Sequence, residues 1–291
     1  MSKIKMIATD IDGTLVDDAK NLSPKTIEVL KKARANGIYV VLCTGRPLSG
    51  VANLLTQLGL DNDDNFVITH NGAQAVSAKS GKAIFKHLLD FSDFKRLDAI
   101  SKELKVNMQT ITTDSQLFVT SPDINYYSVL DTFYTHMQLR YRPVTEVPED
   151  IEIAKIMWAD YPEKIDNALP NLPKDLLDKF DCIRSEKWFF EFMNSLATKG
   201  NAAIELGKHL GIDASEILTA GDQNNDLSMI EKGGFSIAMG NAIDTIKEKA
   251  DYVTDTNNND GLAKAIEKFV FEDLTKGKIE FPENDIDVPI M

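Results

Sequence analysis

The sequence predicts an α/β protein: a doubly wound parallel sheet with an α+β segment inserted into it. Two observations carry this. Short, almost wholly apolar runs alternate with helical stretches near both ends of the 291-residue chain, as a parallel sheet buried on both faces requires. Between about residues 85 and 192 the alternation gives way to strand pairs joined by tight turns, and it resumes at Lys199. The expected division is a discontinuous core, residues 1–84 and 193–274, an inserted segment, residues 85–192, and a tail, residues 275–291.

The elements follow in order. Residues 4–9 form a strand that stops at Asp10. Ser23 and Pro24 supply an N-cap and a first helical proline, and the helix runs to Gly37, a C-terminal stop. Residues 38–42 are the next strand, followed by a loop through Thr44 and Gly45 and a helix over residues 48–58 that Gly59 ends. Residues 66–69 are a third apolar strand, with Asn71-Gly72 as a turn beside the start of the insertion.

Inside the insertion the pattern predicts a helix over 91–104, strands over 106–113 and 117–120 around an Asp114-Ser115 turn, and a helix over 125–139. A strand over 153–160 follows, then two short helices near Pro170 and Pro173, and a strand pair over 182–185 and 189–192. The core resumes with a helix over 202–210, a strand over 217–220 and a helix over 226–231. A strand over 235–239, a helix over 244–250, a short strand at Tyr252-Val253 and a last helix over 262–270 complete it. The acidic tail reads as an irregular strap.

Composition narrows the function. There is no apolar run of about 18 residues, so no transmembrane helix is expected, and the N-terminus lacks the regions of a signal peptide. Two cysteines, Cys43 and Cys182, make no disulfide framework. A cytoplasmic protein is the simplest reading. The net charge of −13 disfavours nucleic acid and anionic membranes. A site for phosphate esters would then need local positive charge from a metal, a lysine or backbone N–H groups.

Four segments could supply such a site, each at an expected strand end or helix start. Asp10 and Asp12, with Gly13 permitting a turn, could hold a hard cation through oxygen. A carboxylate there could also attack phosphorus while the second moves protons; the competing reading is a loop of solvated aspartates. Thr44 and the N–H of Gly45 could bind a phosphate oxygen, or Thr44 could simply cap the next helix. Lys199 could neutralise phosphoryl charge, or lie on the surface. Asp222 could add a third acidic contact, while Asn225 and Asp226 could bind phosphate or brace Lys199; an acidic first helical turn is the plain alternative. Together they supply what phosphoryl transfer needs, positioning and charge stabilisation.

These motifs, Asp10-Ile11-Asp12-Gly13-Thr14, Thr44, Lys199 and Gly221 to Asp226, resemble those of the haloacid dehalogenase superfamily. The chain is most similar to its Cof-type sugar-phosphate phosphatases, to about residue 274. The resemblance implies a Rossmann-like core with a C2-type cap. It makes Asp10 the nucleophile and Asp12 the general acid/base. Thr44, Lys199 and Asn225, with backbone contacts from Ile11 and Gly45, would bind phosphate. Asp10, Asp12 and Asp222 would hold Mg²⁺, with Asp226 in support. The second aspartate argues against dehalogenation, since dehalogenating members lack it. The partner implied is a small phosphate ester, and monomer and homodimer are equally compatible with the sequence. A phosphomutase of the same superfamily and a non-catalytic Mg²⁺/phosphate sensor stay open as alternatives.

Polar residues in cap turns, Asp114, Ser115, Arg184 and Lys187, are candidates for specificity, each against the plainer role of a turn residue. Cys43 is expected to pack in the core, and His70, His87, His136 and His209 show no metal-ligand spacing.

Overall fold

The computed structural model describes residues 3–271, so the strap expected over residues 275–291 lies outside the described residues. β1 (Met6–Thr9) is buried along its whole length. α1 (Pro24–Ala35) begins where the Ser23 side chain accepts the Thr26 N–H. Its chain reverses at Gly37, whose φ of 79° suits a residue without Cβ. β2 (Tyr39–Cys43), α2 (Ala52–Leu58) and β3 (Phe66–Thr69) follow. The helix expected from residue 48 is split: a 3-10 turn covers Leu48–Gly50, and α2 starts after Val51.

β4 (Gln74–Ser77) and β5 (Ala83–Lys86) extend the same sheet. The pattern did not predict β4, because its four residues carry little apolar signal. Asn71, at φ 56°, turns the chain back, so β4 pairs antiparallel with β3, and β5 antiparallel with β4. The expected all-parallel core sheet is thus mixed at one edge, and the expected boundary at residue 84 falls inside β5.

The second sheet comes from the middle of the chain: α3 (Phe91–Glu103), β6 (Met108–Thr112), β7 (Gln116–Val119), α4 (Tyr126–Thr135) and β8 (Gln138–Tyr141), then β9 (Ile153–Ala159), α5 (Pro162–Ala168), α6 (Lys174–Lys179), β10 (Phe180–Glu186) and β11 (Phe189–Asn194). The helix expected to reach residue 139 stops at Thr135, because His136 takes a left-handed conformation (φ 57°) and the chain re-extends as β8. The strand order is β10-β11-β9-β6-β7-β8, antiparallel except for β7 with β8, which α4 connects as a crossover. β11 continues past the expected boundary at 192.

The remainder is α7 (Lys199–His209), β12 (Ile217–Gly221), α8 (Leu227–Lys232), β13 (Phe235–Ala238), α9 (Asp244–Lys249), β14 (Tyr252–Val253) and α10 (Gly261–Ile266). The first sheet orders as β14-β13-β12-β1-β2-β3-β4-β5, parallel from β14 to β3. β1 therefore lies between β12 and β2, so the loops leaving these three strands share one edge. That is where ligands gather in open α/β sheets.

Two large apolar clusters anchor the sheets. One packs β1, β2 and β12 against α1, α2 and α10. The other packs Trp158, Phe190 and Phe192 against α3, α5 and α6. Lys155, Met157 and Glu191 instead line a cleft that Asp10 also lines. Among the described residues no helix is long and apolar enough to cross a membrane.

Candidate active site

Asp10 follows β1, Thr44 follows β2 and Asp222 follows β12, on three adjacent parallel strands. Neighbouring strands lie about 4.8 Å apart, so the topology alone gathers residues that are far apart in sequence. The Asp10 backbone is fixed by its N–H, which donates to the Ala220 carbonyl at 3.0 Å. All three line one cleft of about 820 Å³.

Lys199 opens α7 and is buried. Its Nζ donates to Asp10 Oδ1 and to Asp226 Oδ1, each at 2.6 Å. Burial opposes its charge, but the two carboxylates drive its pKa upward, so it is an ammonium. Asp226 Oδ2 accepts the N–H groups of Asp222 and Gln223 at 2.9 and 3.0 Å. Asp226 thus ties Lys199 to the loop that carries Asp222, the bracing expected of it.

Asp10 Oδ2 has no hydrogen-bond partner among the described residues. Burial, with Asp226 and Asp222 nearby, pushes the Asp10 carboxyl well above the ordinary range against the pull of Lys199. Asp222 is raised for similar reasons, burial first and then Asp226. Its Oδ1 accepts the Thr14 hydroxyl at 3.1 Å. Crowded carboxylates short of positive charge suit a hard cation bound through oxygen. Oxygens of Asp10, Asp222 and Asp226 lie within 4.8 Å of one another. Gly13, at φ 84°, leaves the space open: a Cβ there would collide with the Asp222 carboxylate.

The expected set, Asp10, Asp12 and Asp222, shares two side chains with this cluster. The Asp12 side chain is not in the cluster. Its Oδ2 accepts Arg46 Nε–H at 2.9 Å, and its Oδ1 accepts Arg46 and Lys20 at 2.5 and 2.8 Å. Burial works against its charge, yet Arg46 and Lys20 hold the carboxyl below its usual range. Residues two apart share a face only while the strand continues, and β1 ends at Thr9, so the Asp10 and Asp12 carboxylates need not share one ion. Asp226 enters the cluster instead, but it is tied to the Lys199 ammonium and two backbone N–H groups, whereas Asp10 keeps one open oxygen and Asp222 accepts only from the Thr14 hydroxyl and, at 3.3 Å, the Gln223 amide.

The other expected residues fall as follows. The Thr44 hydroxyl oxygen accepts the Arg46 N–H at 3.1 Å, a contact within the loop that does not cap the next helical turn, and Thr44 and Gly45 both line the cleft. Ile11 is buried in the core, and its carbonyl accepts from Thr14, Leu15 and Val16. Asn225 Nδ2 donates to Asn71 Oδ1 at 3.2 Å. Arg184 lines the cleft, whereas Asp114 lines a separate depression on the second sheet, and Ser115 and Lys187 line neither. Cys43 is fully buried with its thiol pushed upward by burial, no nucleophile.

Sequence reasoning missed Lys20, Arg46, Asp131, Lys155 and Glu191, all in or against the cleft. Two of them carry a readable signal. Lys155 stands alone among apolar residues in Ile-Ala-Lys-Ile-Met-Trp-Ala, as does Glu191 in Phe-Phe-Glu-Phe-Met. A lone charge in an apolar strand is rarely buried without a partner, and these two partner each other at 3.0 Å.

The model of the haloacid dehalogenase-like hydrolases matches residues 7–266. The chain belongs to that family. It is 38% identical over 266 residues to the Bacillus subtilis (strain 168) protein named "Putative phosphatase YxeH", covering 91% of this chain and 98% of that one. A haloacid dehalogenase-like hydrolase from Bacteroides thetaiotaomicron superposes with a TM-score of 0.81 at 28% identity, covering 91% of this chain and 99% of the other. A structure described as a subclass IIB sugar phosphatase superposes at 0.74 and 26% identity, covering 91% and 98%. As a member of this family, the chain is a phosphoric monoester hydrolase.

Proposed function

We propose that this hydrolase cleaves small phosphate monoesters, sugar phosphates among them, through an aspartyl-phosphate on Asp10. One observation carries the reading: Asp10 ends the central strand with one oxygen fixed by Lys199 and the other unpartnered at the cleft. Such a carboxylate is oriented for attack and held against rotation. The sugar phosphatase among the structural relatives supports the substrate class.

In the first step an Asp10 oxygen forms a bond to phosphorus and the ester oxygen leaves with a proton from the minor, protonated form of Asp12, which Arg46 and Lys20 disfavour until the proton is taken up. In the second, Asp12 takes a proton from water, which attacks the acyl phosphate and releases phosphate and Asp10. Arg46 and Lys20 keep Asp12 oriented between these steps. Lys199 offsets negative charge at Asp10, and the Thr44 hydroxyl and Gly45 N–H, at the cleft, would donate to phosphate oxygens. Asp10 and Asp222 would hold Mg²⁺, which when bound supplies positive charge to the phosphoryl group.

The segment carrying the second sheet, residues 85–192 with its edges moved to the ends of β5 and β11, acts as the cap in this reading. It supplies the far wall of the cleft, through Asp131, Lys155, Arg184 and Glu191. Excluding water while the acyl phosphate forms is the expected use of such a cover.

The test is phosphate release from a broad panel of monoesters with Mg²⁺, alongside Asp10→Asn. Loss of more than about a thousandfold in turnover is expected in the variant. Release from no ester, or an unchanged rate in Asp10→Asn, would refute it.

A further inference from the structure

On the cap wall, Lys155 and Glu191 form an ion pair at 3.0 Å with side chains only 7% and 4% exposed. Glu191 Oε1 accepts the Ser185 hydroxyl at 2.6 Å, and Oε2 lies 3.4 Å from Asn71 Nδ2. Asp131 lies beside them on α4, one oxygen accepting Gln109 Nε2 at 2.6 Å. The Gln109 side-chain oxygen is buried without a partner. Gln109 lies behind the wall and does not line the cleft, so Asp131, Lys155 and Glu191 are the groups of this wall that a ligand meets.

The cations of the cleft are all engaged. Lys20 and Arg46 are paired with Asp12, Lys155 with Glu191, and Arg184 with Asp166. Arg184 also donates to the carbonyls of Glu186 and Lys187. The acids are in surplus: Asp131, Glu186, Asp17 and Asp18 line the cleft and take part in no ion pair among the described residues. A second anionic group on a substrate would therefore meet carboxylates and no free cation. A hydroxyl meets acceptors on Asp131 and Glu191 and a donor on Lys155.

We infer that the cap wall admits uncharged, hydroxyl-bearing leaving groups and rejects those with a second anionic group, with Lys155 and Glu191 as the specificity-determining pair. The inference rests on the phosphatase reading above, and the experiment separates the two. Full-length protein with Mg²⁺ is assayed on p-nitrophenyl phosphate and on matched esters: glucose 6-phosphate against 6-phosphogluconate, and glycerol phosphate against 3-phosphoglycerate. The neutral member of each pair should lead in kcat/KM by about tenfold or more, since like charges brought together repel. Glu191→Gln should shrink that ratio several-fold, and Asp131→Asn should do so independently if the first variant folds poorly, as thermal melting will tell. Hydrolysis of p-nitrophenyl phosphate with equal rates within pairs, or ratios untouched in both folded variants, overturns the inference alone. No hydrolysis of any ester overturns the phosphatase reading and the inference with it.

Discussion

Lys199 Nζ stands 2.6 Å from Asp10 Oδ1 and 2.6 Å from Asp226 Oδ1, one buried cation shared by two buried carboxylates. Burial pushes the Asp10 carboxyl upward and Lys199 pulls against it, because charges removed from water need a partner.

Lys199→Met should therefore do two things. It should cost about 3–5 kcal/mol of stability by leaving buried carboxylates uncompensated. It should also lower kcat by about a hundredfold or more through lost charge stabilisation. Adding Asp226→Asn to Lys199→Met should restore part of the stability and none of the turnover. Urea unfolding and phosphate release, run on both variants, check this; recovery of turnover in the double variant would contradict the role given to Lys199.

The Asp10–Asp222 pair makes a second expectation. Mg²⁺ at a hundred times its Kd should stabilise the fold by about 2.7 kcal/mol, read as a rise in Tm. Asp222→Asn should abolish the rise, and so should Gly13→Ala, since the added Cβ collides with the Asp222 carboxylate at a φ of 84°. Asp12→Asn should keep most of it, because Arg46 and Lys20 hold that side chain away from the cluster. A Tm rise lost in Asp12→Asn as fully as in Asp222→Asn would return the cation to the set first expected.

His70 offers a pH test away from the chemistry. Among the described residues neither ring nitrogen has a hydrogen-bond partner, and burial, with Lys155 adding to it, lowers its pKa from 6.5 to about 3. The unfolded chain then binds a proton that the folded one refuses. The stability from a neutral His70 is fully present above pH 6.5 and is lost as pH falls from there toward 3. Each pH unit within that window costs about 1.4 kcal/mol. His70→Asn tolerates the positive φ of 50° and does not titrate. Its unfolding free energy should fall less steeply with acid by that amount, and parallel curves would mean His70 is not the cause.

How much of this was legible in the sequence follows from the physics of each residue. Asp10 and Asp222 were readable because a polar residue ending an apolar strand stands out, and parallel topology then brings strand ends together. Asp226 was readable as a brace but not as the third carboxylate of the cluster, since that depends on which way a 3-10 turn, Asn224–Asp226, aims its side chains. The Asp12 pairing was hidden because Lys20 and Arg46 reach it from two loops, and no periodicity reports where a loop folds back. β4 was hidden for a related reason: the reversal that creates it rests on the left-handed Asn71. The cap wall was written as two lone charges in apolar strands, and their meeting depends on register between β9 and β11.

Two esters with different leaving groups separate the two duties of Asp12. As acid it protonates the leaving oxygen, and as base it activates water against the acyl phosphate. p-Nitrophenolate leaves readily as an anion, so the first duty matters little for p-nitrophenyl phosphate and much for an alkyl ester. Asp12→Asn should therefore lose about a hundredfold or more on sugar phosphates at the first step. On p-nitrophenyl phosphate it should still form the aspartyl-phosphate and then stall, giving a burst of about one nitrophenolate per active site in stopped-flow mixing. Asp10→Asn should give no burst with either ester. A burst-free Asp12→Asn that slows both esters equally would mean that Asp12 serves the first step by orientation alone, through its pairing with Arg46, and not by moving the proton.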